Sequence, residues 1–63
     1  MIRLEKISGE TLLINPRHVV YVGNVVHDLS SGEEIFEVCF SNGFSEFFLA
    51  NDYDKLVKEI DEG

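Results

Sequence analysis

The stretch FEVCFSNGFSEFFLAND, from Phe36 to Asp52, constrains the fold more than any other part of the chain. An Asn-Gly pair, Asn42-Gly43, separates two runs rich in aromatic and β-branched residues. That pattern predicts a β-hairpin with a two-residue type I′ loop. Such a loop sets the register: Ser41 opposite Phe44, Phe40 opposite Ser45, Val38 opposite Phe47 and Phe36 opposite Leu49. Side chains alternate between the faces of a strand. Phe36, Val38, Phe40, Phe47 and Leu49 then share one face. Ile35, Cys39, Phe44, Phe48 and Ala50 share the other, with Glu37 and Glu46. A slip of one residue would exchange the faces. The hairpin holds all 5 phenylalanines of the chain, and neither face is wholly polar.

The rest of the chain is divided by turn signals at Ser8-Gly9, Asn15-Pro16, Asp28 to Gly32 and Asn51-Asp52. MIRLEKI alternates weakly, and ETLLIN follows as a second strand. Pro16 cannot donate to a ladder, and Asn15 is placed to cap a short helical turn with proline at its first position. HVVYVGNVVHDL is rich in β-branched residues and reads as a strand, with Gly23 marking a bulge or a close backbone approach. After Asn51 and Asp52, Tyr53, Leu56, Val57 and Ile60 form an apolar stripe at helical spacing.

These signals predict a single α+β domain over residues 1–63, mainly β. It is an antiparallel meander of four or five strands, near 1–7, 10–15, 18–27, 34–41 and 44–50. One C-terminal amphipathic helix follows, near 52–61. The sheet either stays open, with the helix on one face, or curls into a partial barrel that buries both sides itself.

A chain of 63 residues buries only roughly 60% of its unfolded surface, so small domains of this kind lean on cross-links, metals or self-association. Cys39 is the only cysteine, so no internal disulfide forms. No Cys/His cluster has zinc-site spacing, and no cofactor motif is present. A homo-oligomer, most simply a dimer, is the remedy that remains. The predicted contact residues are Ile35, Cys39, Phe44, Phe48 and Ala50, the face opposite the helix.

The formal charge of −7 argues against phosphate-mediated nucleic-acid binding and against anionic membranes. It leaves room for a basic protein partner, or for an acidic mimic of nucleic acid. No run approaches the length of a membrane helix. The N-terminal residues lack the pattern of a signal peptide, and a lone cysteine suits a reducing compartment. The expectation is a cytoplasmic protein of bacterial or phage type.

Catalytic signals are sparse. Cys39 has no base near it in sequence, and the paired carboxylates among Glu33-Glu34 and among Glu59, Asp61 and Glu62 sit where water reaches them. The expected function is therefore non-enzymatic: a small interaction module, a regulator or inhibitor that self-associates and binds a protein. One alternative is an oligomer that holds a small molecule between subunits, with Asn15, Arg17, His18 and Tyr21 as polar lining near the Asn-Pro turn.

Two resemblances accompany this reading. Met1–Leu4, Gly9, Asn15, Ser41–Gly43 and the amphipathic helix together resemble the small bacterial flagellar FlbD family over most of the chain. Leu4, Lys6 and Gly9 through Leu12 resemble the start of the carbon storage regulator CsrA family. The second resemblance implies five strands, a helix and an intertwined dimer. That family uses basic residues beside its N-terminal strand, where Lys6 lies, and before its helix, where this chain has Asn51, Asp52 and Asp54.

Overall fold

A computed structural model describes residues 1–62. The chain is a small α+β domain of antiparallel strands in two sheets, neither of which closes into a barrel, with one C-terminal helix. The strands are β1 (Ile2–Glu5), β2 (Thr11–Ile14), β3 (Val19–Val22), β4 (Val26–His27), β5 (Glu34–Phe40) and β6 (Ser45–Leu49). The helix α1 spans Tyr53–Glu62. Short 3-10 turns precede β3 at Pro16–His18 and α1 at Ala50–Asp52.

β1 and β2 form a separate two-stranded sheet. In the larger sheet β5 is central: β6 pairs along one edge, and β3 and β4 lie in succession along the other. The single strand expected over 18–27 is thus interrupted after Val22. Gly23 continues the ladder by donating its N–H to the carbonyl of Glu37 at 2.7 Å. A Cβ at Gly23 would sit 3.5 Å from the Cβ of Glu37, an ordinary van der Waals contact, so no close approach requires glycine here. The bulge lies earlier, where the register shifts between Val19 and Tyr21. That leaves Val20 as the extra residue, and Val20 and Tyr21 are both exposed.

The two hairpin loops share one design. Gly9 donates to the carbonyl of Lys6 and Gly43 to that of Phe40, each at 2.9 Å, while Lys6 and Phe40 donate to the carbonyls of Glu10 and Phe44 at 2.8 Å. Each loop therefore has three residues, with glycine at positive φ, 92° for Gly9 and 91° for Gly43. The side chain of Asn42 accepts from the N–H of Phe44 at 3.0 Å, and Ser8 does the same for Glu10 at 3.4 Å.

This loop corrects the expected register. A type I′ turn requires positive φ at both central residues, and among the described residues only glycines have positive φ. Asn42 stays on the negative side, the loop gains a residue and β6 slides by one. Phe36 now pairs with Phe48, Glu37 with Phe47 and Ile35 with Leu49. Phe48 and Ala50 move to the core side, and Phe47 and Leu49 to the outer side. The slide also sends Glu37 and Glu46 to opposite faces. Glu46 meets Lys6 at 3.1 Å, and Glu37 accepts from the hydroxyl of Tyr21 at 3.3 Å.

The core lies between the small hairpin, the inner face of the large sheet and the helix. Ile2, Leu4, Ile14, Phe36, Val38, Phe48 and Leu56 form it. The ring of Phe36 lies 6.2 Å from that of Phe48 and meets Tyr53 edge-on at 5.2 Å. Leu56 is the fully buried residue of the helix, and Tyr53 and Ile60 pack beside it. No helix among the described residues is long and apolar enough to cross a membrane.

Candidate interaction surface

With the helix on the inner face, the outer face of the large sheet stays open. It presents Tyr21 from β3, Val26 from β4, Ile35, Glu37 and Cys39 from β5, and Phe47 and Leu49 from β6. Ile35 is buried between its cross-strand partners Val26 and Leu49. Tyr21, Val26 and Phe47 are each about half exposed, at 49%, 49% and 47%. One acid, Glu37, sits among them and is tied to Tyr21. The Glu37 carboxylate, foremost by its charge, holds the Tyr21 phenol above its ordinary value of 10.0.

Of the five residues expected to make contacts, Ile35 and Cys39 are on this face. Phe44 stands exposed at the end of the hairpin. Phe48 is wholly buried and Ala50 packs against the core, so neither is available to a partner. Phe47, Leu49 and Val26 take their places. Alternation within β6 is the signal for Phe47 and Leu49, with loop length deciding its phase, and Val26 joins them by pairing with Ile35.

The four residues considered for a ligand separate. Asn15 and His18 line an open concavity of about 570 Å³ between β2 and the tip of the large hairpin, with Met1, Leu13, Phe40 and Asn42. Two of the polar side chains there hold their own loops. The side chain of Asn15 accepts from the N–H of Arg17 at 3.1 Å, capping the 3-10 turn as expected. The side chain of Asn42 holds Phe44. Arg17 is not in the wall of this concavity, and Tyr21 lies on the outer sheet face.

A second depression, of about 250 Å³, runs between β3 and α1. Its walls are Val19, Val20, Tyr21 and Val22 on the strand and Tyr53, Val57, Ile60 and Asp61 on the helix.

Other clusters are local. Asp28 accepts from Ser31 at 2.7 Å and from Ser30 at 3.1 Å. The bond from Ser31, first, keeps its carboxyl below the usual value. His27 lies 3.4 Å from Glu34. Among the described residues no three His, Cys, Asp or Glu side chains are grouped to hold a metal ion. The thiol of Cys39 contacts the carbonyl of Phe40 at 3.8 Å, with no histidine beside it on the sheet. No family model matches the chain, and neither the curated proteins nor the solved structures yield a match, so the FlbD and CsrA resemblances rest on the residues quoted for them.

Proposed function

We propose that this protein is a small non-enzymatic interaction module, a bacterial or phage regulator or inhibitor acting in the cytoplasm, which self-associates and binds a protein partner. The observation that supports it is the open outer sheet face, where Tyr21, Val26, Phe47 and Leu49 surround the buried Ile35 with a single acid among them. In a chain with 27% charged residues, an uncovered face this apolar favours a contact surface.

The dimension of the face sets the strength of the dimer. Three strands of about five residues span roughly 14 by 17 Å. That is a minority of the ~800 Å² per partner in a standard interface. The net formal charge of −7 per chain also opposes association. The expected dimer is therefore weak and strengthened by salt, since screening shortens the reach of the repulsion.

Sedimentation equilibrium from micromolar to millimolar protein tests this. The wild type should approach dimer mass, and Phe47→Glu should remain monomeric with an unchanged circular dichroism spectrum. A monomeric wild type throughout the range refutes self-association.

A second reading follows from the 570 Å³ concavity, which is within the ~300–1,000 Å³ of small-molecule sites. It predicts a stoichiometric small molecule released when gently denatured protein is examined by mass spectrometry.

A further inference from the structure

β3 has a partner on one side only, β5. Gly23 donates inward to Glu37, and hydrogen-bonded pairs alternate along an antiparallel ladder. Val22 therefore turns its own N–H and C=O away from β5, toward the free edge. Natural sheet edges are guarded by charges, especially lysine, or by proline. This edge has neither: the run from Val19 to Val26, VVYVGNVV, contains no charged residue and no proline. Its protective devices are its shortness, four residues, and the bulge at Val20, which ends before Tyr21.

Beside this edge lies the groove against α1. Its floor and far wall are Val19, Val22, Tyr53, Val57 and Ile60. At about 250 Å³ it is smaller than the ~300–1,000 Å³ that encloses a small molecule. It has the shape that alternate side chains of an added strand would fill, because every second residue of that strand faces the same side as Val22. The only charge in its wall is Asp61. The same helical spacing places Asp54 and Lys58 on the Asp61 side of the helix, so Asp61 is the one acid that the groove itself presents.

We propose that the β3 edge and the β3–α1 groove together bind an extended segment of a partner protein by strand addition. The segment has apolar residues at alternate positions and a lysine or arginine that reaches Asp61. Charge favours this occupant over a second copy of the chain: two copies bring −7 against −7, the repulsion that already keeps the outer-face dimer weak, whereas a basic segment is attracted. Backbone pairing at Val22 supplies affinity and the groove supplies selectivity for side chains. The proposal rests on the reading of the chain as an interaction module, and not on its self-association.

The probe is a random peptide library displayed on phage and selected against the full chain, followed by fluorescence anisotropy on the enriched peptide. Selection should enrich apolar residues two apart with a flanking Lys or Arg. Val57→Lys should weaken binding at least about tenfold, the effect expected of a central contact. Asp61→Lys, an exposed substitution that leaves the core intact, should weaken it several-fold and flatten its salt dependence. Methylating the peptide amide that faces Val22 should abolish binding, while methylating its neighbour should not. Phe47→Glu should bind the peptide as the wild type does, so loss of the dimer and loss of this site are read separately. Three results would each overturn the proposal: no enrichment, binding indifferent to both groove variants, or selection of sequences like VVYV, which would make a second copy the occupant.

Discussion

Replacing Phe48 and Phe47 separately by alanine tests the hairpin register, on which the outer sheet face depends. Phe48 is 0% exposed with its ring tilted against that of Phe36, whereas Phe47 is 47% exposed on the outer face. Deleting a fully buried phenylalanine side chain costs about 3–5 kcal/mol, because the lost transfer free energy adds to that of the cavity left behind. At Phe47 roughly half the side-chain area is already in water and no closed cavity forms, so the cost is about 1–2 kcal/mol.

A domain of this length has a total stability of roughly 3–9 kcal/mol. Phe48→Ala should therefore remove much or all of it, and Phe48→Leu, at roughly 1–2 kcal/mol, supplies a measurable companion if the alanine variant does not fold. Urea unfolding followed by circular dichroism reads these differences. With an m-value near 1 kcal/mol/M, the midpoint should fall by about 3 M or more for Phe48→Ala and by about 1–2 M for Phe47→Ala. The measurement belongs at low protein concentration, since association of the folded state adds apparent stability. A two-residue loop reverses the order, with Phe47 in the core. Phe47→Ala matching or exceeding Phe48→Ala would refute the three-residue loop and the outer face built on it.

Two further predictions concern the same hairpin and the face beside it. Gly43 has a φ of 91° with nothing within 4 Å of where a Cβ would stand, so Gly43→Ala meets strain but no clash and should cost about 1 kcal/mol. The same urea assay reads it, and no loss would contradict the turn assigned here. The Tyr21 phenol is raised above 10.0 chiefly by the charge of Glu37. A pKa raised on folding contributes stability that is complete below pH 10.0 and is lost as pH climbs through the folded value. In a Tyr53→Phe background, where Tyr21 is the sole tyrosine, Glu37→Gln should lower the midpoint of tyrosinate absorbance. An unmoved midpoint would separate the two side chains.

The strand positions and the helix were legible because their signals are local, whereas the division into two sheets, with β5 central in the larger, was not. Glycine after a polar residue marks each hairpin, Asn15 and Pro16 start the 3-10 turn, and Tyr53, Leu56, Val57 and Ile60 repeat with the helical period. The phase of β6 was harder, since Phe47 and Phe48 are adjacent and equally apolar, and alternation alone cannot rank them. Loop length ranks them, through a single dihedral at Asn42. The charges contain the missing information. A two-residue loop places Glu37 and Glu46 on one face, while a three-residue loop separates them and lets Lys6 reach Glu46 and Tyr21 reach Glu37. Pairing each acid with a partner across the fold is thus a stronger guide to register here than the turn dipeptide.

The groove beside β3 follows the same logic over a longer distance. The neutrality of Val19 to Val26 is visible in the chain, but it acquires meaning only once β5 has used one side of that strand and left the other open. The helix reaches that open side because Leu56 is buried with Phe36 in the core and Tyr53 meets the Phe36 ring edge-on. A core contact in the large hairpin therefore sets the far wall of a surface whose near wall lies in another strand. Binding at that surface should accordingly be sensitive to packing at Phe36 as well as to the residues that line it.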